Sequence, residues 1–135
     1  RRRSARQSFT VDWLTGACLL VRAEVWAQTG GFDEVNFSGM YGEDIDWCRR
    51  IRAGGWEIWF DPAAVIVHAE SASPLGGRTL QMHRGFYRYC ALHLSPAQQR
   101  RMRAAAWLAL APRRLLARDP QTRALYGEIM RLPVE

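Results

Sequence analysis

Lysine is absent from this sequence: all 19 basic residues are arginine. So uniform a choice reflects coding bias rather than nineteen separate demands for a guanidinium, and no function is drawn from it. Cysteine is scarce, and Cys18, Cys48 and Cys90 stand far apart among apolar neighbours. That pattern argues against a disulfide framework or a zinc site and predicts reduced core thiols, as suits a cytosolic protein. Long apolar runs are missing too. The longest, Ala104 to Ala111, has eight residues, about 12 Å as a helix against roughly 30 Å of bilayer hydrocarbon. Neither a secretory signal nor a membrane span is expected. Nucleic-acid motifs are lacking, and the aromatic residues do not interleave with the arginines as in a stacking sheet, so nucleic acid is not an expected partner.

What is present suits one modest core. A chain of 135 residues, 48% of them hydrophobic, is expected to bury roughly two-thirds of its unfolded surface, as one domain or part of one. The net charge of +6 is unevenly spread: residues 1–70 hold eight arginines and ten acids, whereas residues 71–135 hold eleven arginines and three acids. An anionic surface, such as a membrane, is the partner that this basic half suggests.

The densest chemistry lies in Met40-Tyr41-Gly42-Glu43-Asp44-Ile45-Asp46-Trp47-Cys48-Arg49-Arg50-Ile51-Arg52, which ends at Gly54-Gly55. Three carboxylates fall within four residues where a glycine-led turn gives way to a predicted helix, at the positive end of its dipole. Helical spacing puts Ile45, Cys48 and Ile51 on a core stripe and Asp46, Arg49 and Arg50 on another face. There Asp46 and Arg50 have the spacing of an exposed ion pair worth about 0.2–0.5 kcal/mol. Capping and dipole interactions suffice to account for Glu43 and Asp44 without chemistry, and catalysis is the lesser reading from spacing alone.

In chain order, residues 1–8 read as a flexible, arginine-rich lead-in. Phe9 to Trp13 and Ala17 to Arg22 read as extended, broken at Thr15-Gly16, where the glycine marks either a bend or the close approach of another group. Ala23 to Thr29 reads as a short helix closed by Gly30-Gly31. After the central helix, Trp56 to Phe60 alternates as a half-buried strand, and Val65-Ile66-Val67 reads as a fully apolar strand with His68 at its end. Ser71 to Gly77 reads as a flexible connection and Arg78 to Leu94 as a helix with Leu80, Phe86, Tyr87, Cys90 and Leu94 packing inward. Ser95-Pro96 restarts a helix, and Pro112 is expected to kink or end it. Its apolar stretch, flanked by arginines and containing Trp107, fits either a membrane surface or burial against the rest of the protein.

Four motifs occur in an order that resembles the second half of the inverting family-two glycosyltransferases, especially rhamnosyltransferase-like members that build bacterial cell-surface glycans. They are Val11-Asp12-Trp13-Leu14-Thr15-Gly16-Ala17-Cys18-Leu19-Leu20-Val21-Arg22, Gly30-Gly31-Phe32-Asp33-Glu34, the Gly42-Glu43-Asp44 stretch, and Asp61-Pro62-Ala63-Ala64-Val65-Ile66-Val67-His68. The resemblance covers roughly residues 10–73. It implies that Asp44 is the general base on the acceptor hydroxyl, that His68 helps hold a divalent cation, Mg or Mn, and that Trp13, Tyr41 and Glu43 line the substrate site. Ala69-Glu70 follows His68 where the family often has a second His and a Gly.

The resemblance further implies an α/β fold: a partial nucleotide-sugar-transferase (GT-A-type) sheet with packed helices. Residues 9–77 would be the C-terminal half of the catalytic domain and residues 78–135 a helical, arginine-rich tail. The family's N-terminal half, with its Asp-x-Asp motif for the diphosphate, has no counterpart here; Asp44-Ile45-Asp46 shares that spelling but lies in the acceptor-side motif. The implied reaction moves a sugar, with inversion, from a nucleoside-diphosphate sugar to a glycan or lipid-linked acceptor, at the cytoplasmic face of the cell membrane. A non-catalytic, truncated transferase serving as a membrane or protein interaction module is the alternative.

Overall fold

The computed structural model describes residues 7–38, 41–68 and 75–133. They form five helices and a two-stranded sheet, an α/β chain in two compact units. One unit holds residues 7–38 and 43–68, the other residues 41–42 and 75–133.

In the first unit, β1 (Phe9–Val11) pairs antiparallel with β2 (Ile58–Phe60), with Phe9 opposite Phe60 and Val11 opposite Ile58. The period of two turns Val11 and Ile58 to the core, and the Phe9 and Phe60 rings, 5.3 Å apart, close the same face at the ladder's end. Helix α1 (Ala23–Thr29) ends at Gly30, whose φ of 69° suits glycine and whose N–H donates to the Trp26 carbonyl. Helix α2 (Glu43–Ala53) stops as predicted at Gly54-Gly55, where the Gly54, Gly55 and Trp56 N–H groups return to carbonyls of its last turns.

The core of this unit is Val25, Trp47, Cys48, Ile51 and Ile58, with Leu14, Leu19, Val21 and Trp56 packed against it. Trp47 is its centre. Trp26 and Phe32 meet the Trp47 ring edge-on at 5.2 and 5.1 Å, and its indole N–H donates to Thr29 Oγ1 at 3.0 Å.

Three expectations change here. Asp46, expected on an exposed face, is only 3% exposed. The end of α1 covers it: Asp46 accepts from Arg50 Nε at 2.8 Å, while the same guanidinium donates to the Thr29 and Gly31 carbonyls. Arg50 thus ties α2 to the orphan carbonyls at the end of α1. Ala17 to Arg22 and Val65-Ile66-Val67 carry no strand pairing, and Val65 and Val67 are 83% and 98% exposed. A β-branched run becomes a strand only with a ladder beside it, and β1 and β2 are the sole pair among the described residues. Cys18, expected in the core, is exposed; Cys48 and Cys90 are buried, and all three are free thiols.

The second unit is helical: α3 (Leu75–His93), α4 (Pro96–Leu116) and α5 (Pro120–Arg131). Helix α3 already begins at Leu75, inside the stretch expected to be a flexible connection; residues 71–74 lie outside the described residues. Tyr87 and Cys90 of α3 are buried, as its spacing predicts, and Leu80 and Leu94 are partly buried, but Phe86, also expected to pack inward, is exposed. Ser95 caps α4 through a reciprocal bond with Gln98. The helix runs through Pro112 instead of ending there. The carbonyl that loses its partner belongs to Leu108 on an exposed face where water can serve it, and burial of Leu110 against α5 holds the flanking turns. Helix α5 lies within the tail expected to be helical, although its separate start is not marked there. Asp119 caps it by accepting from the Gln121 and Thr122 N–H groups, Pro120 opens it, and Ile129 anchors it in a core with Leu110 and Met130.

Candidate functional site

The predicted base, Asp44, sits in the first turn of α2, partly exposed. Its Oδ2 accepts the Gly16 N–H at 3.0 Å, and its Oδ1 accepts the Ile45 N–H at 2.8 Å. One turn further along α2, the Cys48 thiol contacts the Leu14 carbonyl at 3.8 Å. The loop holding Trp13, Leu14 and Gly16 is therefore fixed to one face of α2 at two points, four residues apart. Gly16 satisfies both readings: it sits in a turn, and its backbone N–H approaches the carboxylate. A Cβ there would lie 3.5 Å from the Phe32 ring and 3.7 Å from Asp44 Cβ, ordinary contact distances.

A carboxylate oxygen has two lone pairs, so each Asp44 oxygen retains capacity to accept another hydrogen bond. The two backbone N–H groups fix its direction. Burial pushes the Cys48 thiol up, and the Asp44 charge adds to that against the opposing Leu14 contact. Cys48 accordingly stays a protonated, structural thiol beneath the carboxylate. Burial also pushes the Cys90 thiol up.

Of the other predicted residues, Glu43 precedes Asp44 in α2 and presents a buried Oε2 with no hydrogen-bond partner among the described residues. An orphaned carboxylate oxygen of this kind awaits a donor. Trp13 is half exposed in the loop that carries Gly16. His68 is exposed at the end of the unpaired 65–67 run. Among the described residues no three His, Cys, Asp or Glu side chains come together as a metal cluster. The described residues therefore do not make a cation site around His68, whose companion ligands would have to come from elsewhere.

Tyr41 belongs to the second unit. It is a non-glycine residue at φ 74°, followed by Gly42 at φ 101°. Gly85, in the interior of α3, makes room for that turn: a Cβ at position 85 would fall 1.7 Å from the Tyr41 carbonyl oxygen. Sequence reasoning passed over Gly85. The signal was a glycine in mid-helix, where propensity disfavours it by about 1 kcal/mol relative to alanine unless packing requires it.

An open groove of about 450 Å³ lies elsewhere in the first unit, between β1, β2 and the end of α2. The Asp12–Arg52 ion pair, 2.7 Å long, lies in its lining, and none of the five predicted residues does. Its two carboxylates have partners, Asp12 in the Arg52 ion pair and Glu57 in a bond from the Trp59 indole N–H, and among the described residues neither is held by backbone N–H groups as Asp44 is.

Over 63 residues the chain is 44% identical to an N-acetylglucosaminyl-diphospho-decaprenol L-rhamnosyltransferase of Mycobacterium tuberculosis, a match covering 47% of this chain and 20% of that protein. It is 40% identical over 58 residues to the rhamnosyltransferase WbbL of Escherichia coli, covering 43% of this chain and 21% of that one. The O-antigen biosynthesis protein RfbC of Myxococcus xanthus is 37% identical over 67 residues, 48% of this chain and 5% of that protein. The chain thus spans about a fifth or less of these relatives. No solved structure matches it. The family model described as glycosyltransferase like family 2 matches residues 1–88, well over half of the chain, and the chain belongs to that family.

Proposed function

We propose that this chain supplies the acceptor-side part of an inverting glycosyltransferase of the GT-A type, with Asp44 as general base. The observation that carries the proposal is the Asp44 carboxylate, partly exposed and aimed by the Gly16 N–H at 3.0 Å. In the reaction, Asp44 takes the proton of an acceptor hydroxyl, and that oxygen forms a bond to the anomeric carbon. The bond to the nucleoside diphosphate breaks on the opposite face, so the configuration inverts. A divalent cation, with His68 as one ligand and the rest from outside the described residues, would neutralise the departing diphosphate.

Glu43 Oε2, which has no partner among the described residues, is suited to accept from a hydroxyl of donor or acceptor. The exposed Trp13 indole offers an apolar face to a sugar ring. The Tyr41 assignment rests on its motif alone. The mycobacterial relative is named for a lipid-linked diphospho-sugar acceptor and a rhamnosyl donor; those substrate classes, and a role in cell-surface polysaccharide synthesis, are proposed for this protein too.

The test is Asp44→Asn in a protein carrying the remaining family sequence. The amide keeps the shape and can still accept from Gly16, but it cannot take up a proton. Transfer is expected to fall by about two orders of magnitude or more while donor binding is unchanged. Turnover near the parent level would overturn the assignment and direct attention to Glu43, since Asp46 is locked in its ion pair with Arg50.

A further inference from the structure

Helix α4 carries an apolar face that its neighbours leave uncovered. One side packs: Leu110 is buried with Ile129 and Met130 of α5, and Leu80 of α3 adjoins them. On the other side Leu108, Leu115 and Leu116 are 76%, 80% and 80% exposed, and Trp107 is 52% exposed. Burial against the rest of the protein, one of the two readings of this stretch, therefore accounts for only one line of it. At 3.6 residues per turn Leu108 and Leu115 lie about 20° apart around the axis, with Ala104 about 40° from Leu108. They form a stripe along the helix, with Trp107 at its border.

Arginines hold the ends of that stripe. Arg101, seven residues before Leu108, continues it; Arg100 stands beside it, and Arg118 follows just past the helix end, all three exposed. Acids that could offset them are few: Asp119 is occupied in capping α5 and Glu128 pairs with Arg84. No described helix is long and apolar enough to cross a bilayer. An exposed apolar stripe with cationic ends instead fits a helix that lies in a lipid interface.

We propose that this face of α4 rests on an anionic lipid surface, with Leu108, Leu115 and Trp107 entering the headgroup boundary and Arg100, Arg101 and Arg118 set on lipid phosphates. A second copy of the chain is the less suitable occupant. Two such faces brought together would oppose arginine clusters with no acids placed to relieve them. The inference stands whether or not the chain takes part in sugar transfer.

Co-sedimentation of the 135-residue chain with phosphatidylcholine vesicles, with and without phosphatidylglycerol, tests it. Binding is expected only when phosphatidylglycerol is present, and it should weaken as salt rises. Arg100→Gln with Arg101→Gln should weaken it roughly 30-fold, from the usual contribution of two arginines at an anionic surface. Leu108→Gln with Leu115→Gln should weaken it at least as much, with the thermal midpoint unchanged because both side chains are exposed. Arg113→Gln should change it by less than about threefold: position 113 is turned by about 140–160° from the two leucines and faces away from the lipid. Equal binding to both vesicle types, indifference to the leucine pair, or no binding together with self-association that the leucine pair abolishes would each overturn the proposal.

Discussion

Two glycines show how differently one residue type can be constrained. At Gly16 the backbone N–H does the work, and a Cβ would meet its neighbours at 3.5 Å and beyond. At Gly85 the missing Cβ is itself the requirement, because the Tyr41 carbonyl fills that space. Gly16→Ala is therefore expected to stay within about 0.5 kcal/mol of the parent. Gly85→Ala gains up to about 1 kcal/mol in helix propensity but forces the backbone of residues 41–42 to move, which costs about 1–3 kcal/mol or more, so destabilisation wins. Urea midpoints of the two variants check this, and a Gly85→Ala protein as stable as the parent would remove Gly85 from its assigned role. The sequence alone marks Asp44 and Gly16 separately, each within its motif. Their bond joins residues 28 apart, and no spacing rule connects positions so distant.

Among the elements, boundaries set by local chemistry are legible and those set by tertiary partners are not. Gly54-Gly55 ends α2 and Ser95-Pro96 starts α4 where residue types alone place them. Asp119-Pro120 carries a comparable start signal for α5 and was there to be read. By contrast Val65 to Val67 has the composition of a strand without the ladder that would make it one, and the buried state of Asp46 depends on α1 folding over it. The α5 cap has a testable pH dependence. Bonds from the Thr122 side chain and backbone, and then the Gln121 backbone, hold the Asp119 carboxyl below its usual 3.8. The unfolded chain then binds that proton more readily than the folded one, so the cap stabilises fully above 3.8 and its contribution is lost as pH falls through the lower folded value. Asp33, bonded to the Asn36 side chain and backbone, is shifted the same way. The thermal midpoints of the parent and Asp119→Ala should differ most above pH 3.8 and converge below it. A gap that does not change with pH would show that the carboxylate charge is not what caps the helix.

At the scale of the whole molecule, the chain has an organised carboxylate, and a complete transferase would also need a place for the nucleoside diphosphate. A donor's diphosphate needs either a cation held by several oxygen or nitrogen ligands or a cradle of backbone N–H groups and basic side chains. No three-ligand cluster is present among the described residues, and the sheet there has two strands. Of the three arginines that follow Asp44 in α2, Arg50 is committed to Asp46 and to the end of α1, Arg52 is paired with Asp12, and Arg49 is exposed. The 135-residue chain is therefore expected to give no saturable heat when a nucleoside-diphosphate sugar and Mg are titrated into it, and no sugar transfer. A longer protein that carries more of the family sequence should do both. This expectation is independent of the base assignment, because the role proposed for Asp44 is on the acceptor and not on the donor. Tight donor binding by the 135-residue chain would show that its described residues assemble a diphosphate site after all; sugar transfer by it would show that the acceptor-side part is a complete catalyst.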